Sequence, residues 1–261
     1  MPHRPRKRFG QHFLHDPRVI DRIVRAIDPR PGQPMVEIGP GQGAITGPLL
    51  ELLGGLDVVE LDRDLAAALP GRFHRPAGLR VHTADALEFD FAALAPEPRS
   101  LRVVGNLPYN ISTPLIFHLL AQVQCIRDMH FLLQKEVVDR LVARPGGKDY
   151  GRLSVMVQFH CEPRALFGVG PGAFRPPPKI QSAFVRLTPH EHPPWPVRQP
   201  ARFACIVRTA FGHRRKTLRR ALAGVLSADA MERAGIDPGL RAENLSVAQF
   251  ARLANTEETS R

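Results

Sequence analysis

Four stretches of the chain place chemically useful residue types at useful spacings. Glu37-Ile38-Gly39-Pro40-Gly41-Gln42-Gly43 follows an apolar run and leads into a helical pattern. Glycines at such a turn let the backbone approach a ligand closely and leave a helix N-terminus aimed at it. Glu60 closes the next apolar run, LDVVE, where an acid can hydrogen-bond the two hydroxyls of a ribose. Asp85 closes a third run, VHTAD, where a carboxylate can accept from an adenine amino group. The dinucleotide turn is G-x-G-x-x-G, whereas this chain reads E-x-G-x-G-x-G with an acid on the strand just before. That form suits a cofactor lacking a pyrophosphate and carrying an amino-acid ammonium. S-adenosylmethionine therefore fits better than a nicotinamide dinucleotide.

The fourth stretch, LRVVGNLPY, ends in Asn106-Leu107-Pro108-Tyr109. The amino group of adenine is a poor nucleophile because its lone pair is delocalised into the ring. Two acceptors aimed at its hydrogens favour the tetrahedral nitrogen that attacks a methyl group. The side-chain oxygen of Asn106 and the carbonyl of Leu107 can serve, with Pro108 biasing Leu107 towards an extended conformation. Tyr109 offers a ring on which a flipped or single-stranded base can stack.

These residues need a scaffold that brings strand ends together. PMVEIGPG, LDVVELD, LRVHTADALEF and LRVVGNLPY read as strands, and the helical patterns ITGPLLELLGG, DLAAALPGRF and STPLIFHLL fall between and after them. CIRDMHFLLQKEVVDRLV reads as a further strand passing into a helix. Such alternation predicts an α/β fold with a parallel, doubly wound sheet, whose ligands sit at the carboxyl ends of the strands. The Pro-rich stretch from Thr188 to Pro200 reads as a linker. The expected organisation is a catalytic domain over residues 1–190 and a smaller, wholly helical domain over 198–261.

With 36 Lys and Arg against 25 Asp and Glu, the formal charge is +11, which points to a polyanionic partner, nucleic acid first. No apolar run is long enough to cross a membrane and no secretory h-region follows the basic N-terminus. Cys125, Cys161 and Cys205 match neither a zinc spacing nor a disulfide framework, so no metal is expected and a reducing cytoplasm is.

On RKRFGQHFLHDPRVIDRIV, VEIGPGQGAIT, VVGNLPYNISTPLI and FRPPPKIQSAFVRL, together covering nearly the whole chain with its helical tail, the protein resembles the ribosomal RNA adenine N6,N6-dimethyltransferases, the small-subunit dimethyladenosine transferases of bacteria. FGQHFL and FRPPPK are far more specific than a methyltransferase glycine turn. The resemblance implies a Rossmann-like sheet that uses S-adenosylmethionine to dimethylate two adjacent adenines near the 3′ end of small-subunit ribosomal RNA during ribosome biogenesis. It also implies that His12 and Leu14 touch the cofactor with Gly39, Gly41, Glu60, Asp85 and Asn106. Asn106, Leu107, Pro108 and Tyr109 would form the adenine pocket, and Phe174 would close over the other face of the base. The family often has Asn where this chain has His12, and Asp where it has Gln181.

Arg214, Arg215, Lys216, Arg219 and Arg220 form a basic run in GHRRKTLRRAL, and Arg4, Arg6, Lys7 and Arg8 form a second cluster. Both are read as holding an RNA backbone without reading its sequence. The large-subunit adenine methyltransferases of macrolide resistance share much of this pattern, but FRPPPK and the basic helical tail favour the small-subunit type. A non-catalytic RNA-binding assembly factor on the same fold is the alternative from another class. Nothing in the sequence calls for an obligate dimer, and a monomer is expected.

Overall fold

A computed structural model of the chain describes residues 12–73, 78–213 and 215–256. Strand β1 (Phe13–Leu14) and helix α1 (Pro17–Ile27) lead into β2 (Met35–Ile38), α2 (Thr46–Leu53), β3 (Leu56–Glu60), α3 (Arg63–Ala68) and β4 (Leu79–Thr83). Then come β5 (Leu101–Asn106), α4 (Ser112–Ala121), β6 (Ile126–Gln134), α5 (Lys135–Val142), α6 (Arg152–His160), β7 (Cys161–Val169), β8 (Phe174–Arg175) and β9 (Ser182–Pro189). Helices α7 (Pro200–Gly212), α8 (Leu218–Ala221), α9 (Ala228–Arg233) and α10 (Val247–Asn255) close the chain.

Seven strands form one sheet in the order β4-β3-β2-β5-β6-β9-β7. Strands β2, β3, β4, β5 and β6 pair in parallel, as the alternation of strand and helix predicts. All four residues of β2 and all five of β3 are buried, as strands covered on both faces should be. β9 differs: it pairs antiparallel with β6, from Met129↔Leu187 to Gln134↔Ser182, so the sheet is mixed rather than wholly parallel. In sheet order β9 stands between β6 and β7.

The chain divides into two compact units, residues 1–138 with 164–189 and residues 139–163 with 190–261. The Pro-rich stretch does mark a crossing, but the expected single boundary omits the segment Asp139–Pro163. Aromatic packing explains why that segment belongs to the second unit. Phe159 stacks on Phe203 with ring centroids 4.2 Å apart, and Tyr150 meets Phe211 edge-on at 6.2 Å. The tail is also less continuous than its composition implies. α7 stops at Gly212, His213 leaves helical geometry, and Thr217 bridges to Arg241 before α8 begins.

In the first unit, Arg102 ties α1 to the sheet. It is 5% exposed, and its Nε donates to both oxygens of Asp128 at 3.0 and 3.1 Å. Nη2 donates to the Ile27 carbonyl at 2.6 Å and Nη1 to that of Asp28 at 3.2 Å, satisfying acceptors the end of α1 leaves open. Burial acts to raise the Asp128 carboxyl, but His130 and Arg102 outweigh it and hold the group below its ordinary value. A depressed carboxyl contributes stability above its unfolded pKa, and that contribution is lost as pH falls through the lowered one. Arg102→Met should lower the unfolding free energy by about 3–5 kcal/mol in urea titration near neutral pH. A cost below about 1 kcal/mol would show that neither Asp128 nor the end of α1 needs the guanidinium.

Candidate active site

Parallel pairing aligns the strand ends. Ile38 lies opposite both Val59 and Gly105, and Glu60 lies opposite Thr83. The turns after β2, β3, β4 and β5 therefore share one edge of the sheet. They line a cleft that opens to solvent. Gly39, Gly41, Glu60, Asp85 and the Asn106–Tyr109 turn all face it, as do His12 and Leu14. Among the described residues no Lys or Arg lines this cleft.

The glycine turn folds as the sequence predicts. Gly41 has φ +55°, and a Cβ there would come within 3.0 Å of the Phe13 ring, so only glycine leaves room for the N-terminal segment. Glu60 holds the turn in place: its Oε2 accepts from the Gly41 N–H at 3.2 Å and its Oε1 from the Asp62 N–H at 2.9 Å. Burial raises the Glu60 carboxyl, against the lowering effect of those backbone donors. Asp85 accepts from the Leu87 N–H through Oδ1 at 2.9 Å.

Glu37 entered the sequence pattern as the acid before the glycine turn but was assigned no contact of its own. The residue is 2% exposed and lines the cleft, and Oγ1 of Thr46 donates to its Oε2 at 2.6 Å. Burial pushes its carboxyl up to about 7 despite that hydrogen bond, with the Glu60 charge adding to the rise. The available signal was the acid two residues before the first glycine.

The Asn106–Tyr109 turn is anchored at each residue. The Leu107 N–H donates to the Leu132 carbonyl at 3.2 Å, and the Ile111 N–H to the Pro108 carbonyl at 3.2 Å. Asn106 Nδ2 donates to the His12 carbonyl at 3.0 Å, which commits the amide nitrogen and leaves Oδ1 as the acceptor. The Tyr109 hydroxyl lies 2.7 Å from Ser182 Oγ at the start of β9. Burial raises the Tyr109 phenol, with the Ser182 bond opposing.

Phe13–Leu14 of FGQHFL and Phe174–Arg175 of FRPPPK, more than 150 residues apart in the chain, meet as one ribbon. β1 pairs antiparallel with β8, Phe13↔Arg175 and Leu14↔Phe174, and the His15 N–H donates to the Ala173 carbonyl at 2.9 Å. His12 Nδ1 donates to the Pro176 carbonyl at 2.7 Å, and its ring lies 5.4 Å from that of Tyr109. Phe174 is 2% exposed and packs with Leu14, Val169, Ala173 and Phe184, and it is not among the residues that line the cleft. Phe174 pairs with Leu14, which itself lines the cleft, so the ring lies under the ribbon that borders the site.

In the second unit, Arg215, Lys216, Arg219 and Arg220 are exposed. Arg214 lies outside the described residues, as do Arg4, Arg6, Lys7 and Arg8. No helix of the described residues is long and apolar enough to cross a membrane.

A parallel sheet whose strand ends carry a glycine turn, a ribose-range acid and an Asn-Leu-Pro-Tyr turn defines a methyltransferase of the S-adenosylmethionine-dependent class. The family model described as Ribosomal RNA adenine dimethylase matches residues 2–258. The chain belongs to that family. It is 58% identical over 253 residues to Ribosomal RNA small subunit methyltransferase A of Pseudomonas putida, covering 97% of this chain and 95% of that protein. The protein of the same name from Pseudomonas aeruginosa is 59% identical over 253 residues, covering 97% and 94%. Among solved structures, a dimethyladenosine transferase from Plasmodium falciparum superposes with a TM-score of 0.79 at 25% identity, covering 93% of this chain and 96% of that one. The 23S rRNA methyltransferase ErmE gives 0.71 at 26% identity, covering 92% and 97%.

A Cβ on Gly105 would lie 2.6 Å from the Ile38 carbonyl oxygen and 2.9 Å from Leu107 Cδ2. The first neighbour is backbone of the adjoining strand and cannot yield. Gly105→Ala should therefore displace the Asn106–Pro108 turn and cost about 100-fold in methyl transfer, the penalty of a misplacement near 1 Å. Near-normal turnover in that variant would mean that the turn's position is not critical.

Proposed function

We propose that this chain transfers methyl groups from S-adenosylmethionine to the amino nitrogens of two adjacent adenines in small-subunit ribosomal RNA, two to each. The observation that carries the reading is a single cleft holding both the acid-and-glycine strand ends and the Asn106–Tyr109 turn. The residues suit this cofactor: Glu60 and Asp85 offer carboxylate acceptors, the glycine turn leaves room, and among the described lining no cation stands ready for a pyrophosphate. Relatives 58–59% identical that are named for the small subunit, together with FRPPPK, favour it over the large-subunit target of ErmE.

The bound cofactor supplies an electrophilic methyl group on a sulfonium. Glu60 would accept from the ribose hydroxyls through the lone pairs its two backbone donors leave free, and Asp85 from the adenine end. Oδ1 of Asn106, with its amide nitrogen already committed to His12, would accept from the target amino group, and the Leu107 carbonyl from its second hydrogen. Tyr109, held by Ser182, would present a fixed face to the base. The turn itself carries no carboxylate, so catalysis would rest on alignment and on acceptors placed before the reaction begins. A neutral amide tolerates an amino group that already bears one methyl, which suits a second transfer.

The test is methyl transfer from labelled cofactor to unmethylated small subunits, with analysis of the adenines released. Dimethyladenine is expected at completion. Monomethyladenine alone would overturn the role given to the turn, and absence of transfer would favour a non-catalytic assembly factor. Asn106→Ala should depress turnover far more than subunit affinity, because affinity would rest on phosphate binding elsewhere.

That binding is assigned to the exposed basic run. Replacing Arg215, Lys216, Arg219 and Arg220 with Ala should weaken subunit binding and flatten its salt dependence, by up to about 0.7–0.9 in log–log slope for each phosphate no longer neutralised. Cofactor affinity should not change. A slope equal to that of the parent would reduce the run to a solvated face.

A further inference from the structure

Glu37 sits at the same cleft with no role in the steps above. Its carboxyl is buried at the end of β2, where a single neutral donor, the Thr46 hydroxyl on α2, bonds it. A second buried carboxylate, Glu60, stands on the adjoining strand, and among the described residues no Lys or Arg lines the space around them. An ionised carboxylate buried beside another, with one neutral donor and no cation, is strongly disfavoured, and such a group takes up a proton instead. The position of the Glu37 carboxyl near 7 agrees with that geometry.

We propose that Glu37 is a cation-receiving residue of the cofactor site, protonated in the ligand-free protein and releasing its proton to solvent when the positively charged cofactor enters. The inference rests on the reading of the cleft as an S-adenosylmethionine site. That cofactor carries a sulfonium, an ammonium and one carboxylate, a net charge of +1. An opposite charge within about 4–6 Å favours the ionised form of a carboxyl. The missing counter-charge of Glu37 is thus brought by the ligand, and binding and proton release become one equilibrium. Other titratable groups line the same cleft: Glu60 on β3 and Asp62 beyond it, Asp85 after β4, Tyr109 after β5, and His12 of the N-terminal segment. A variant at Glu37 itself is needed to separate them.

The sign follows from linkage. Binding lowers the pKa of Glu37, so affinity rises with pH up to about 7 and levels off above it. If the bound site stays ionised, affinity at pH 6 should be about eightfold weaker than at pH 7.5. Calorimetry of S-adenosylmethionine binding to the full chain at pH 6.5, in phosphate and in imidazole buffers, reads the protons released. More than about half a proton per site is expected, falling to none near pH 9. Glu37→Gln keeps the size and an acceptor for Thr46, and should bind with little buffer dependence. Should that variant not fold, infrared difference spectra of the parent report the same event, as loss of a protonated-carboxyl band on adding cofactor. Buffer-independent enthalpy in the parent, an unchanged carboxyl band, or full proton release in Glu37→Gln would overturn the proposal while leaving the cofactor reading intact. Absence of any cofactor binding would overturn both.

Discussion

Parallel hydrogen bonding of β2 to β3 on one side and to β5 on the other constrains everything else at the site. In a parallel ladder neighbouring strands end on the same edge, so the residues that follow each strand become neighbours without any contact of their own. Gly105 shows how tight this constraint is, since the Ile38 carbonyl of the adjoining strand lies where a side chain would begin. Because the ladder allows no slack there, the Asn106 side chain leaves the sheet at a set height above the glycine turn.

Charge in the chain is separated by sign in a way that matches the two kinds of ligand. The cleft gathers Glu37, Glu60 and Asp85 with no Lys or Arg among its described lining, a setting that favours a cationic cofactor. The exposed cations at Arg215, Lys216, Arg219 and Arg220 face water in the other unit, where a polyanion can replace solvent without desolvating a buried charge. A net charge of +11 thus coexists with an acidic active site. Mixing the two sets would stabilise a salt-bridged cleft and weaken both interactions.

The ribbon of β1 and β8 is only two residues long on each side and could not stand alone. It persists through bonds at its ends: His12 to the Pro176 carbonyl, and Asn106 to the His12 carbonyl. The second bond joins the N-terminal segment to the turn proposed to receive the target base. One amide therefore holds the segment through its nitrogen and leaves its oxygen outside that bond.

Local pattern was sufficient for strands β2 to β6, though not for β1, β7, β8 and β9, and it placed the glycine turn, the acids that end β3 and follow β4, and the Asn106–Tyr109 turn. Each of these depends on residues a few positions apart, through periodicity, backbone freedom or the restriction of proline. The exposure of the basic run was equally legible, because a dense run of like charge goes to water. What local pattern left undecided was fixed by partners distant in sequence. Phe174 is buried through its packing with Leu14, and the segment Asp139–Pro163 joins the second unit because Phe159 finds Phe203. β9 finds its antiparallel partner β6 across more than 45 residues of intervening chain, a pairing that no local pattern names. Glu37 reads in sequence as one more acid before a glycine turn, and only tertiary burial, with Glu60 nearby, raises its carboxyl. Burial and electrostatic environment sum over all neighbours in space, and a linear sequence names only those along the chain.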